Sequence, residues 1–323
     1  MKKKILVIQP LHDKAMARLQ ACPDVVFDVI TDVSPANLRH HVGGADAITV
    51  RDATLDATII ACATRAKVIS RHGVGVDNVD LDACTRQCLP VAIVGSVNAV
   101  AVAEHTLFLL LAAARVGVVM DDAVRTGQFG MRAQVRSKEL YGKTLLVVGY
   151  GRIGREVARR GAALGLRVVA FDPYAPQGAD APVAFAPSLD DALRGADVVS
   201  LHLPLNHETR GILDARRLGL LPKGAIVLNA GRGGLLDENA LVRAIQSGAL
   251  HGAGLDVFAS EPLPADSPLV RERRIVLSPH CASLTEDTII AMGMKTVENA
   301  LAALEGRLDP ALVVNKETLE AKP

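Results

Sequence analysis

The run Val147-Val148-Gly149-Tyr150-Gly151-Arg152-Ile153-Gly154 constrains this chain more than any other stretch. Leu145 to Val148 reads as an apolar strand feeding a G-x-G-x-x-G turn, and a helix-like stretch through Glu156, Val157, Ala158 and Ala162 follows. A second apolar run, Val168 to Phe171, ends on Asp172, eighteen residues past Gly154. In such a strand–turn–helix unit the first glycine makes the tight turn and the second lets backbone approach a pyrophosphate. The third lets helix pack closely on strand. Phosphates rest on the helix N-terminus, and an acid placed like Asp172 accepts hydrogen bonds from an adenosine ribose. The motif predicts a dinucleotide site carried by Gly149, Gly151, Gly154 and Asp172.

The surrounding pattern predicts an α/β fold. Short β-branched runs at 4–8, 25–30, 47–51, 68–71 and 91–94 alternate with helical segments, one of them opened by Ser34-Pro35. A second set of strands is expected at 144–148, 167–172, 198–203, 225–229, 252–257 and 275–278. Ser188 and Asp237 are expected to cap intervening helices, and Gly248 to end the second. A final helix runs from Thr285 to Glu305 and stops at Gly306. Asn98 to about Thr126 is nearly uninterrupted helix-former and is expected to be one long connecting helix. Alternating strands and helices imply two units, each a parallel sheet covered by helices.

Composition removes several function classes. With a formal charge of +1 and no basic block beyond Lys2-Lys3-Lys4, nothing supports a nucleic-acid surface. The five cysteines (22, 62, 84, 88, 281) have no metal-ligand spacing, so no metal is expected, and a reduced, cytoplasmic compartment is the plain reading. Cys84 and Cys88, four apart on a predicted helix, are expected to share a packing face. Ile5 to Ile8 is too short for a signal-peptide core. Thr106 to Met120, flanked by Glu104 and His105 and cut by Arg115, reads as a buried helix and not a membrane span.

Three polar groups stand at consecutive predicted strand ends. Ile226 to Asn229 leads into Ala230-Gly231-Arg232; Gly254 to Phe258 leads to Glu261-Pro262; Ile275 to Leu277 leads to Ser278-Pro279-His280. Ligands of parallel sheets bind at this edge. Hydride transfer to a 2-oxo acid needs a cation for the carboxylate, a proton donor for the carbonyl oxygen and a group that keeps that donor protonated. Arg232 offers a bidentate fork, His280 an imidazole that titrates near neutrality, and Glu261, where it meets His280, a charge that orients the ring. Taken singly, each also has an ordinary reading as a surface or packing residue.

As a set, these motifs resemble the D-isomer-specific 2-hydroxyacid dehydrogenases, nearest the phosphoglycerate dehydrogenase branch. The likeness runs almost end to end. It takes in Gly73-Val74-Gly75-Val76-Asp77-Asn78-Val79-Asp80, Val102-Ala103-Glu104-His105, the glycine motif with Asp172-Pro173-Tyr174, and His202-Leu203-Pro204-Leu205 with Thr209. Asn229 to Gly233, Leu255 to Phe258 with Glu261-Pro262, and Ser278-Pro279-His280 complete it. The resemblance implies NAD as cofactor, a small 2-hydroxy or 2-oxo acid as substrate, and Arg232, Glu261 and His280 as the catalytic trio with His280 the proton donor. It places Arg152 and Ile153 at the pyrophosphate, Asp172 at the ribose, Pro204 and Thr209 along the cofactor, and Ala230 and Asp256 near the nicotinamide. Arg51, the Val74-Gly75 backbone and Arg232 would hold substrate. It further implies two Rossmann-like domains, the N-terminal one flavodoxin-like. Residues 1–97 plus 285–323 would form a discontinuous substrate domain and 98–284 the NAD-binding domain. A homodimer joined through the latter is the usual assembly.

The chain also departs from the branch. Phosphoglycerate dehydrogenases typically read Arg-Ser-x-Thr where this one has Arg51-Asp52-Ala53-Thr54, and Asp52 opposes a dianionic substrate by like-charge repulsion. Gly231 replaces the usual small non-glycine residue, an exchange expected to loosen its loop. Arg71, His72, Arg132, Arg136 and Lys138 are candidates for a distal anionic group and equally for ordinary packing. A hydroxypyruvate or glyoxylate reductase of the same family is one alternative. Formate or phosphite oxidation is another, although formate enzymes of the superfamily pair the histidine with glutamine. A dinucleotide-sensing scaffold akin to the corepressors of this fold is a third.

Overall fold

The structure, a computed structural model, describes residues 2–175 and 183–320. The chain divides into two compact units: Met1–Asn98 with Thr285–Pro323, and Ala99–Leu284.

The first unit is built on five parallel strands, β1 (Lys3–Ile8), β2 (Val25–Ile30), β3 (Ala47–Val50), β4 (Ile69–Arg71) and β5 (Val91–Ala92). Their order is β2-β1-β3-β4-β5, the flavodoxin-like arrangement, with its reversal point between β1 and β3. Ile5 to Ile8 and Ala47 to Val50 are buried throughout, as continuous apolar runs are when helices cover both faces of a sheet. The returning helix Glu286–Leu304, capped by the Thr285 hydroxyl, packs Val297, Ala300 and Leu301 against Ile5 and Val7. Two buried polar bonds fix its register: Ser70 Oγ donates to the Thr296 carbonyl at 2.9 Å, and Asn299 Nδ2 to that of Ile93 at 3.0 Å. Cys84 and Cys88 do not share a face. The helix Leu81–Arg86 ends before Cys88, which is exposed at φ 52°, while the Leu89 N–H returns to the Cys84 carbonyl and Leu89 fills the core instead.

The second unit holds seven parallel strands, β6 (Thr144–Val148), β7 (Arg167–Phe171), β8 (Ala184–Phe185), β9 (Val198–Leu201), β10 (Ala225–Asn229), β11 (Leu250–Leu255) and β12 (Ile275–Leu277). The order β12-β11-β10-β9-β6-β7-β8 is the doubly wound dinucleotide-binding topology, reversing between β6 and β9, with β12 added at one edge. Successive strand residues face opposite sides. Leu146, Val148 and Val199 accordingly join one core layer with Leu241 and Ile245. Leu145, Val147 and Val198 join another with Leu109, Leu110 and Val157. β8 was not expected; two residues paired to Val169 and Ala170 are too few for an alternation to register.

The single helix expected over 98–126 is instead two, Ala99–Arg115 and Gly117–Arg125, broken at Val116 (φ 51°, ψ 41°). A β-branched residue rarely adopts this left-handed conformation, and the glycine that follows it, Gly117, is the local sign of the break. Distant donors take the carbonyls at the break: Lys138 N–H binds Ala114 at 2.8 Å and Ser137 Oγ binds Arg115 at 3.3 Å.

Candidate functional site

The glycine turn follows β6 at the sheet's reversal point. Gly149 sits at φ 94°, and a Cβ there would lie 2.6 Å from the His202 carbonyl oxygen, so only glycine lets the turn pass the end of β9. A Cβ on Gly154 would overlap the Gly149 carbonyl, while Gly151 faces open space at the N-terminus of the helix Arg152–Ala163. A glycine cradle clear of side chains, at the N-terminus of twelve residues of aligned peptide dipoles, fits a pyrophosphate. Past β7, the Asp172 carboxylate accepts the Tyr150 N–H at 2.8 Å and the Tyr174 N–H at 2.9 Å, which pins it beside the turn with lone pairs left for ribose hydroxyls. After β9, Thr209 Oγ1 donates to the Pro204 carbonyl at 2.6 Å and closes that loop. Ala230, Ile153, Val102 and Ala282 form one apolar cluster, so the glycine helix, the long helix and the loops after β10 and β12 meet there.

Arg232 follows β10. Asn229, buried at the strand end, accepts the Gly231 N–H at 3.1 Å through its side-chain oxygen and donates to the Arg232 carbonyl at 2.9 Å. The glycine loop is therefore braced, against the expectation that Gly231 loosens it. Gly233 lies so close to the Phe258 backbone that any side chain would collide with it, which sets the Arg232 loop against the loop after β11. There, one Glu261 oxygen accepts the Phe258 N–H at 2.9 Å and the other meets His280 Nδ1 at 2.7 Å. The Glu261–His280 pair is partly exposed, with side-chain accessibilities of 36% and 50%, so a ligand can reach it. The structure thus gathers Arg232, Glu261 and His280 at one edge of the second unit's sheet.

Asp256 does something the sequence did not announce. It is 1% exposed, and its carboxylate accepts Ser278 Oγ at 2.6 Å, Cys281 N–H at 2.9 Å and Ala282 N–H at 2.9 Å. His105 Nε2 lies 2.8 Å from Ser278 Oγ and 3.5 Å from Asp256. His105, Asp256 and Cys281 bring three metal-competent atoms within 4.8 Å of one another, yet the carboxylate oxygens already accept protein donors. The arrangement is a hydrogen-bonded anchor for the loop carrying His280. In the sequence Ser278 and His105 stand only as members of motifs, and a hydroxyl two residues before the histidine is the one signal of this role.

A further imidazole, the half-buried His202, pairs Nε2 with Ser200 Oγ at 2.7 Å; the desolvation of its ring pushes its pKa down to about 4. Among the other basic candidates, Arg132 stacks its guanidinium 4.9 Å from the centroid of the exposed Phe129 ring.

The first unit carries the remaining candidates at its own C-terminal sheet edge. Arg51 donates to the Pro10 carbonyl at 3.1 Å, and its loop is held from two sides. Gln9 Oε1 accepts the N–H groups of Asp52 and Ala53, and Asn78 Nδ2 donates to the carbonyls of Arg51 and Ala53. Gln9 and Asn78 brace this loop from positions distant in sequence, and no motif marks them for it. Val74 and Gly75 follow the adjacent strand, after His72, whose N–H binds the Val50 carbonyl at 2.8 Å. His72 is buried and pushed down to about 4, by burial first and then by Arg51 and Arg71.

Residues 107–282 match the family model for the NAD binding domain of the D-isomer specific 2-hydroxyacid dehydrogenases. The chain belongs to this family. It is 37% identical over 308 residues to D-3-phosphoglycerate dehydrogenase of Methanocaldococcus jannaschii, covering 94% of this chain and 58% of that protein. It is 35% identical over 328 residues to the glyoxylate reductase of Aeropyrum pernix, covering 99% of this chain and 98% of that one. Among solved structures it resembles a D-lactate dehydrogenase from Aquifex aeolicus complexed with NAD and lactic acid. There the TM-score is 0.85 at 26% identity, covering 96% of this chain and 99% of that one. The chain spans about half the length of the phosphoglycerate dehydrogenases it matches, 58%, 51% and 50% in three cases.

Proposed function

We propose that this chain is an NAD-dependent oxidoreductase interconverting a small D-2-hydroxy acid and its 2-oxo acid. The observation that carries this reading is the 2.7 Å pairing of His280 Nδ1 with Glu261, in loops set against that of Arg232 at the edge of a dinucleotide-binding sheet. NADH, when bound, supplies the hydride. The chain's own residues do the rest. Arg232 holds the carboxylate of the 2-oxo acid and fixes which carbonyl face is presented. With Nδ1 engaged by Glu261, His280 Nε2 is the nitrogen able to give a proton to the carbonyl oxygen. Glu261 neutralises the imidazolium, as the third member of a nucleophile–base–acid chain does. Arg152 and Ile153 lie at the phosphates, Asp172 at the ribose, Pro204, Thr209 and Ala230 along the cofactor, and Arg51, Val74 and Gly75 contribute to substrate binding, while the buried Asp256, expected near the nicotinamide, spends its carboxylate on the loop that carries His280. The first unit is the substrate domain and the second the NAD-binding domain.

Within the family, a hydroxypyruvate or glyoxylate reductase is the second reading, favoured by the exposed Asp52 beside Arg51. Glu261 in place of glutamine speaks against formate oxidation, and a complete trio against a scaffold. NADH oxidation against glyoxylate, hydroxypyruvate, 3-phosphohydroxypyruvate and pyruvate tests the reading; no turnover with any 2-oxo acid would overturn it.

A homodimer through the second unit is supported by its exposed apolar residues: Phe108 and Leu111 project from the helix Ala99–Arg115 beside Leu164. Five unpaired cysteines favour the cytoplasm. No helix among the described residues is long and apolar enough to cross a membrane.

A further inference from the structure

We infer that His105 is a positioning residue for His280, acting through Ser278 and Asp256; the inference rests on the reading of His280 as proton donor. His280 lies at φ 50°, a left-handed conformation that a residue with a Cβ adopts at a cost unless its surroundings hold it there. Those surroundings are one buried residue. The Asp256 backbone carbonyl accepts the His280 N–H at 2.8 Å, and the Asp256 carboxylate takes the donors of Ser278, Cys281 and Ala282, which bracket the histidine.

Ser278 is the link that can turn. Its hydroxyl has one proton, and the 2.6 Å contact commits that proton to Asp256. The 2.8 Å contact to His105 must then run the other way, with Nε2–H donating to the serine oxygen. His105 so fixes the rotor that ties the start of the loop to the carboxylate, and its Nε2–H, with the nitrogen 3.5 Å from the Asp256 oxygen, stabilises that buried charge. It can do so because it rides on the helix Ala99–Arg115, with its ring 5.5 Å from that of Phe108, and not on the loop it steadies. Without it, Ser278 loses its donor, the grip on residues 278–282 slackens, and the His280 ring drifts from Glu261.

Two substitutions separate this from a merely structural role. His105→Leu removes the donor, whereas His105→Gln returns an N–H at about the reach of Nε2. Ring-15N spectra, with His280 assigned through His280→Asn, report the Nδ1 hydrogen bond without requiring turnover. In His105→Leu the His280 Nδ1 signal should move towards its position in Glu261→Gln. kcat should fall between about tenfold and a hundredfold, the cost of a misplaced reacting group, while NADH affinity stays close to wild type. His105→Gln should restore both the signal and most of kcat, and Ser278→Ala should reproduce the Leu spectrum even if the Leu variant folds poorly. An unmoved Nδ1 signal in both His105→Leu and Ser278→Ala, or Gln faring no better than Leu, overturns the inference. Should the chain reduce no 2-oxo acid, the proposed activity fails while the spectra still decide the positioning.

Discussion

Glu261 reaches His280 at 2.7 Å through one carboxylate oxygen while its other oxygen is fastened to the Phe258 N–H at 2.9 Å. The carboxylate is thereby oriented by its own loop before it orients the imidazole. His280→Ala should lower kcat by ~10²–10⁴-fold, the usual worth of a general acid, with NADH binding near normal. Glu261→Gln removes the charge paired with the imidazole at 2.7 Å, so kcat for reduction should fall about tenfold or more while NADH binding holds. An unchanged kcat in stopped-flow reduction would remove Glu261 from the pair, and near-full activity of His280→Ala would refute the mechanism.

Cofactor choice follows from Asp172. Its carboxylate is pinned by the N–H groups of Tyr150 and Tyr174 and would repel a 2′-phosphate, so NAD(H) should exceed NADP(H) by ten- to a hundredfold, or ~1–3 kcal/mol. Asp172→Ser should erase most of that ratio. Comparable kcat/KM for both cofactors in the unaltered chain would count against Asp172 as the discriminator.

The substrate prediction rests on Asp52, exposed with its carboxylate 4.0 Å from the Arg51 guanidinium. 3-Phosphohydroxypyruvate should not be the preferred 2-oxo acid. Asp52→Ser should raise its kcat/KM relative to glyoxylate by about tenfold, the effect of removing one like-charge contact. A clear preference for the phosphorylated acid in the unaltered chain would contradict this.

His72 and His202, one in each unit, are both held near pKa 4 by burial, against 6.5 when unfolded. Below 6.5 the unfolded chain binds protons that the folded chain refuses, so stability is full above that value and declines as pH falls towards 4. At pH 5 the loss is roughly 2 kcal/mol per ring. Urea midpoints at pH 7 and pH 5 measure it, and His202→Gln should flatten the difference. An unchanged slope would mean that the ring is already solvated.

What the sequence made legible was whatever depends on local pattern. Val147 to Gly154 with Asp172 announced the cofactor turn, because strand, glycines and acid are close in sequence and each meets a steric or electrostatic demand. The two parallel sheets followed from alternation, while the order of their strands did not. What stayed hidden depends on distant partners. At Val116 a run of helix formers breaks where only Gly117 hints at it locally, and Lys138 and Ser137 take the carbonyls beside it. Asp256 reads as an acid in a strand, and only the fold reveals that residues 278–282 close over it. Cys88 leaves the face of Cys84 because a turn places Leu89 there.

Arg232, Glu261 and His280 all lie within the uninterrupted stretch 99–284, as does the buried anchor Asp256. Arg51, Asp52 and the Val74-Gly75 backbone lie outside it. On the proposed reading, the proton donor, its acidic partner and the arginine that grips the carboxylate are written on one length of chain, and Arg51, Asp52 and the Val74-Gly75 backbone on another. Residues 51–54 stand on none of the chain that carries the Glu261–His280 and Glu261–Phe258 hydrogen bonds. On that reading a lineage can change diet by rewriting a short loop while inheriting its acid–base pair.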